Sequence, residues 1–119
     1  MKKLVIAAVS LGALAACVTI APLPNERWTR LDSTMQQAAS LGANEVPSAR
    51  MHLKLAHDQG LAARQLAMEG DDRANLVLAR AQSDALLAVA LAHEAQVHRS
   101  MERQDLVLQH VQGEQRSTP

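Results

Sequence analysis

The segment ANLVLARAQSDALLAVALAHEA, residues 74–95, repeats small apolar side chains every seven positions. The repeat has two series, which are offset by four residues: Ala74, Ala81, Ala88 and Ala95, and then Leu78, Ala85 and Ala92. Such spacing places both series on one side of an α-helix. Alanine is the strongest helix former and buries little area, so it favours long helices packed at short distance. The segment therefore predicts one wall of a narrow helical hairpin.

A second segment of the same character lies just before it. Over residues 48–69, small or apolar residues recur every three or four positions, at Ala49, Leu53, Ala56, Gly60, Ala63 and Ala67. We predict that Ser48 is the N-cap of this helix. In the turn that follows, Gly70 is predicted to close the helix in a left-handed conformation, and Asp71 or Asp72 to cap the next one.

The third helix is predicted to run from about residue 72 to residue 112, with Gly113 as its end. A shorter first helix is predicted over residues 26–40, because helical spacing relates Trp28, Leu31, Met35, Ala38 and Leu41. Gly42 suits its C-terminal cap, and Pro47 prevents simple continuation. The predicted fold class is all-α: a short first helix followed by a long antiparallel α-helical hairpin, in a coiled-coil-like arrangement of three helices.

These elements predict one helical domain over residues 26–112 and a disordered tail over residues 113–119. The second helix is about half as long as the third, so the third helix has no predicted partner after about residue 96. That uncovered part still carries apolar residues, namely Leu106, Val107, Leu108 and Val111.

Composition excludes several classes of function. The 119 residues carry no formal net charge, so no basic patch for nucleic acid and no polybasic segment for anionic lipid is expected. Trp28 is the sole aromatic residue, which argues against a stacking platform for bases. The single cysteine, Cys17, excludes an internal disulfide.

The N-terminal segment has the layout of a secretory signal peptide. Two lysines precede an apolar run over residues 4–13, and the run ends in Leu14, Ala15, Ala16 and Cys17. These four residues resemble the lipobox of bacterial lipoproteins. The resemblance implies removal of residues 1–16, attachment of lipid to the Cys17 thiol, and no further cofactor. A membrane-spanning helix needs about 20 apolar residues, and this run is shorter. The alternatives are an ordinary signal peptide and a buried N-terminal helix.

The segment after the cysteine contains Pro22 and Pro24, which disfavour a helix. Residues 17–25 are therefore predicted to form an extended tether between the lipid and the helices. Val18, and not an aspartate, follows the cysteine. By analogy with enterobacterial sorting, this favours the periplasmic face of the outer membrane.

The helical segments resemble a family of small proteobacterial envelope proteins defined as a domain of unknown function. The resemblance covers roughly residues 28–96, through the order and spacing of the segments 49–56 and 63–72 and of Ala74, Ala81, Ala85, Ala88 and Ala92. It implies an envelope lipoprotein with no established catalytic residues. Some members carry a peptidoglycan-binding domain similar to outer membrane protein A. This sequence has none after its hairpin, so direct peptidoglycan binding is not expected.

The leading functional hypothesis is a non-enzymatic structural or adaptor protein that self-associates or docks onto another helical envelope protein. The alternative is a module that binds a small ligand, lipid or metal in a groove between the first helix and the hairpin. A metal site is not expected, because His93 and His98, like His52 and His57, are five residues apart and point to different sides of a helix.

Three side chains have two interpretations each. Asp84 either fixes the helix register as a partly buried polar residue or pairs with Arg80, and we favour the ion pair. Glu94 and His98, four residues apart, are predicted to form a surface pair. Trp28 either lies at the membrane interface or plugs the end of the bundle, and we favour the plug.

Overall fold

The computed structural model describes residues 22–117. Three α-helices account for most of them: α1 (Asn25–Ser40), α2 (Pro47–Met68) and α3 (Arg73–Ser117). A single 3₁₀ turn, Ala43–Glu45, joins α1 to α2. No strand occurs between residues 22 and 117, which confirms the all-α prediction.

Some predictions fall on residues outside the described range. They are the signal peptide, the lipobox residues Leu14, Ala15 and Ala16, the lipidated Cys17, and the first part of the tether, residues 17–21. Residues 118–119 of the predicted tail also lie outside it. Within the range, residues 22–24 are not helical, and α1 begins at Asn25, one residue before its predicted start.

The helices form an up-down-up bundle that the pairs of contacting residues define. Arg64 of α2 binds Asp32 of α1, whereas Ala49 of α2 lies in one cluster with Ala38, so α1 and α2 run antiparallel. α2 and α3 form the predicted antiparallel hairpin. At about 1.5 Å per residue, α2 is about 33 Å long and α3 is about 67 Å long, so α3 extends well beyond its partner.

The core consists of two clusters, which are built mostly from alanine. One cluster joins Leu31 of α1 to the hairpin near its turn, and the other joins Ala38 to the hairpin at the open end. Leu31 and Leu78 are the largest fully buried side chains in the described part of the chain. The short side chains let the helix backbones approach closely, so the bundle is thin and large buried side chains are few.

The repeat predicted twelve packing residues, and the structure locates each of them. Those that are buried are Ala49, Ala56, Ala63, Ala74, Leu78, Ala81, Ala85, Ala88 and Ala92. Leu53 and Ala95 are half-buried. The prediction for Ala67 is wrong, because Ala67 is exposed. In the last turn of α2 the half-buried residue is Leu66 instead, so the buried face ends one residue off the predicted position.

Two predicted helix ends differ from the structure. Ser48 is not the N-cap of α2, because the helix begins at Pro47, with Val46 in the cap position. Proline suits the first helical position, since its fixed φ matches the helix and its missing N–H is not needed there. Gly113 does not end α3, and residues 113–117 are helical rather than disordered. One exposed glycine costs only about 1 kcal/mol in a helix, too little to stop it.

The turn between α2 and α3 follows its prediction closely. Gly70 has φ 70°, in the left-handed region, and the Asp71 N–H donates to the Leu66 carbonyl at 2.9 Å in a Schellman pattern. The Asp71 carboxylate then accepts the Arg73 backbone N–H at 2.9 Å and the Arg73 guanidinium at 2.6 Å. Asp71 is therefore the side chain that caps α3, while Asp72 contributes its backbone carbonyl, to Asn75.

The cap predicts a loss of stability in acid. Hydrogen bonds from the Arg73 side chain, and then from its backbone N–H, lower the pKa of Asp71 to about 2. A depressed pKa stabilises the folded state above the unfolded pKa, about 3.9 for aspartate, and this contribution is lost as the pH falls towards the folded value. Denaturation of wild type and Asp71→Asn at several pH values between about 5 and 2 checks this. The difference in stability should shrink as the pH falls, and a difference that stays constant over this range would contradict this role of the cap.

Candidate functional site

A polar cluster interrupts the alanine interface between α2 and α3. His52 Nδ1 lies 2.8 Å from Asp84 Oδ1, and Gln59 Nε2 donates to Asp84 Oδ2 at 2.9 Å. His52 and Gln59 are seven residues apart and so share one face of α2, two turns from each other. The side chains of His52 and Asp84 are each 20% exposed. One carboxylate of α3 thus receives two donors from α2.

The preferred pairing of Asp84 with Arg80 is therefore wrong. Asp84 lies next to the buried Ala85 and faces α2, while Arg80 is exposed. The other interpretation, a partly buried polar residue at the helix interface, describes the observed contacts. Gln59 Oε1 is buried and has no hydrogen-bond partner in the described part of the chain. The cluster matches α2 to one position along α3, as a register-fixing contact does.

We expect Asp84→Ala to lower the free energy of unfolding by about 1–2 kcal/mol, because it leaves the part-buried donors of His52 and Gln59 without their acceptor. Urea denaturation monitored by circular dichroism measures the change. Asp58→Ala is the matched control, since Asp58 is 50% exposed and its ion pair is with Lys54, four residues before it on the same helix. Equal losses in the two variants would contradict a special role for Asp84.

Trp28 packs against the cluster that contains Leu31 and Leu78, near the α2–α3 turn, and is half-buried. The Arg64 guanidinium lies 4.9 Å from the centre of its ring, within cation–π range. Leu23 packs against the same cluster, so the chain enters the bundle at its turn end. These contacts agree with the interpretation of Trp28 as a plug.

The histidines do not converge. No group of three or more histidine, cysteine, aspartate or glutamate side chains is placed to hold a metal ion in residues 22–117. His98 lies 3.8 Å from Glu94, as predicted for a surface pair, and both side chains are more than half exposed. His52 is engaged by Asp84, and His57 is exposed.

A groove between α1 and α2 is the candidate site for the small-ligand alternative. It encloses about 530 Å³ and is open to solvent. Its lining includes Arg50, Lys54 and His57 of α2, with Asp32 and Met35 of α1. Lys54 already binds Asp58 at 2.6 Å. A ligand site usually has an apolar, enclosed lining with a few fixed polar groups, and this groove is open and lined by charged side chains.

The main unpartnered surface is on α3, on the side away from α2. Ala90 is two residues from both Ala88 and Ala92, which are buried, so it points about 200° away from each of them. Exposed apolar residues continue along this side at helical spacing: Ala79, Leu86, Ala90, Val97, Met101, Leu108 and Val111. We call these seven residues the outer stripe. At about 1.5 Å per residue it is about 48 Å long.

The outer stripe corrects the apolar tail predicted from sequence. Leu106 and Leu108 are two residues apart, so they lie on opposite sides of the helix, and Val107 lies between these sides. Their exposed fractions are 65% and 58%, so both are free of the bundle. The part of the stripe within the bundle, from Ala79 to Ala90, was missed. Counting 100° per residue from the buried series would have found it.

By length and composition alone, α3 is apolar enough to cross a membrane, with one 18-residue window of mean hydropathy 1.3. Only 28% of that window is buried. A helix with alanine on its bundle face and larger apolar residues on its outer face has a high mean hydropathy although little of it is buried. In the structure this helix forms one wall of the bundle.

No protein-family model matches the chain, and no match was found among curated proteins or among solved structures. The resemblance to envelope lipoproteins therefore stays a prediction.

Proposed function

We propose that this protein is a lipid-anchored structural or adaptor protein of the bacterial cell envelope, which acts through helix–helix contact and without catalysis. In this proposal the lipid is attached to Cys17 and holds the protein at the periplasmic face of the outer membrane. The observation that carries the contact role is the exposed outer stripe of α3.

The distribution of apolar side chains supports a partner. The bundle buries mainly alanine, while Leu86, Met101 and Leu108 are 60%, 55% and 58% exposed on the outer stripe. Fully burying one such side chain contributes about 1.5–3 kcal/mol. Most of the large apolar side chains of α3 are thus not buried within the monomer. Contiguous exposed apolar surface of this kind marks interaction sites.

The direction of the chain supports the same proposal. Leu23 enters the bundle at the end that carries the α2–α3 turn, whereas residues 96–117 extend about 33 Å beyond the opposite end. The described chain thus begins near one end of the helices, and the uncovered part of α3 is at the other end. We call residues 96–117 the projecting segment. The projecting segment lies at the opposite end of the helices from Leu23, where a partner can reach it.

Crosslinking in intact cells tests the contact role. We expect wild type to give a specific crosslinked product, Leu108→Glu to reduce it strongly, and Leu106→Glu to leave it unchanged. The two variants place the same charge on the same helix at similar exposure, 58% and 65%, but on opposite sides. Recovery of only uncrosslinked protein, or equal losses from both variants, would contradict the proposal.

The anchor is tested in the same cells by fatty-acid labelling and fractionation. Wild-type protein should incorporate labelled fatty acid and remain with the membranes, and Cys17→Ala should incorporate none. A crosslinked product that forms at full yield with Cys17→Ala would show that contact does not depend on the anchor. Fatty-acid labelling of Cys17→Ala at the wild-type level would contradict lipid anchoring through that residue.

A further inference from the structure

From the pattern of the projecting segment, we infer that its partner is a second copy of this chain, bound antiparallel along the outer stripe. The inference rests on the proposed function, since it names the partner of the same surface. The core positions of the projecting segment repeat every seven residues in two series. Met101 and Leu108 form one series, and Val97, Gln104 and Val111 form the other. This spacing is that of a two-stranded coiled coil.

One antiparallel alignment brings apolar residues together and places acidic side chains opposite histidines on both flanks, with Glu94 of each copy next to Val111 of the other near the ends of the overlap. It places Val97 against Leu108 of the second copy, and Met101 against Gln104 of the second copy. The flanking His98 is then opposite Asp105 of the second copy, so an imidazole N–H can donate to a carboxylate. On the other flank, His93 is opposite Glu114 of the second copy. The two-fold symmetry forms each of these pairs twice.

A parallel alignment lacks these pairs. It would bring Glu94 next to Glu94 of the second copy at the edge of the core, with like charges together, and would leave Asp105 opposite Ser100. In the antiparallel alignment the two Glu94 side chains are separated by most of the overlap. Flank charges set the orientation of coiled-coil partners, so the antiparallel pair is favoured.

The contact area indicates a moderate affinity. The aligned segments span residues 88–117 of each copy, about 45 Å of helix with a contact width of about 10–12 Å. Two such strips give roughly 1,000 Å² in total, near the lower limit for a specific interface. We therefore expect a dimer that dissociates on dilution in solution and that is favoured where anchoring concentrates the chain on a membrane.

The orientation is tested with cysteine pairs in the full chain, with Cys17→Ser removing the native thiol. The double variant Val97→Cys with Leu108→Cys should form a disulfide-linked dimer under mild oxidation. Each single variant should give several-fold less, because residue 97 of one copy is about 16 Å along the axis from residue 97 of the other. Efficient crosslinking by Val97→Cys alone would indicate a parallel pair and would overturn the inference.

The charges are tested by sedimentation of the full chain with Cys17→Ser over a range of concentrations. Asp105→Lys should shift the midpoint of dimerisation to higher concentration, and adding His98→Asp should restore it, since the pair is then reversed. Glu102→Lys, an equal charge change about 60° further round the helix from the stripe than Asp105, should have little effect. His98, Glu102 and Asp105 are exposed, so circular dichroism should show unchanged helix content in their variants.

A monomer at every concentration would overturn the second-copy inference. If cells then still gave a Leu108-dependent crosslink, at a mass that does not match two copies, the partner would be another protein and the proposed function would stand. Loss of both the dimer and the cellular crosslink would overturn both.

Discussion

Leu31→Ala is expected to lower the free energy of unfolding by about 2–5 kcal/mol. Leu31 is 1% exposed and is the large side chain that inserts from α1 into the hairpin, against Ala56, Ala63 and Leu78. Truncation of Leu31 leaves a cavity lined mostly by alanines. Their side chains are too short to move into the cavity and close it. The loss should therefore exceed the removed transfer energy alone.

The effect should be local as well as large. A small domain has only about 5–15 kcal/mol of stability, and here α1 depends on Leu31 for its largest buried contact. Hydrogen exchange should show the amides of α1 losing protection first, and urea denaturation gives the total. The control is Leu61→Ala, because Leu61 is 55% exposed and its truncation should change stability by about 0.5 kcal/mol or less. A comparable loss for both variants would contradict this account of the core.

The helices and the hairpin could be predicted from the sequence because they depend on local rules. The alanine series marks one face of α3, and Gly70 with Asp71 forms the predicted turn and cap. Both signals depend on spacing within a few residues, so they need no knowledge of tertiary contacts.

The errors share a different cause. Asp84 has a partner four residues away on its own helix and two across the interface, and only the packing decides between them. Ser48 is a good N-cap residue, but Pro47 before it is a better first helical residue. Gly113 resembles a helix end only if no helix former follows, and residues 114–117 continue the helix. In each case a local preference competes with an alternative of similar energy.

The outer stripe could have been derived from sequence, and the polar cluster could not. The members of the outer stripe follow from the helical angle of 100° per residue once Ala88 and Ala92 are placed in the core. The cluster needs the relative position of α2 and α3 along their axes. A shift of one turn would separate His52 and Gln59 from Asp84, and the alanine spacing by itself does not select one of the two positions.

Gly60→Ala is expected to destabilise the protein by about 1–3 kcal/mol, although alanine normally stabilises a helix relative to glycine by about 0.5–1 kcal/mol. A Cβ at position 60 would lie 2.9 Å from Leu31 Cδ2, which is too close, and Leu31 is held on all sides in the core. The close approach of α1 to α2 therefore requires glycine here. Urea denaturation of Gly60→Ala and of wild type measures the effect.

The same change should reverse its sign once Leu31 is shortened. In a Leu31→Ala background the clash is absent, so Gly60→Ala should raise stability by about 0.5–1 kcal/mol. The two sites then have a coupling energy of about 1.5–4 kcal/mol, because they are in direct contact. Gly113→Ala is the matched control, because nothing lies within 4 Å of a Cβ there, and it should stabilise the helix equally in both backgrounds. If Gly60→Ala stabilised the protein with Leu31 present, Leu31 would have room to move, and the tight α1–α2 contact would not depend on this pair.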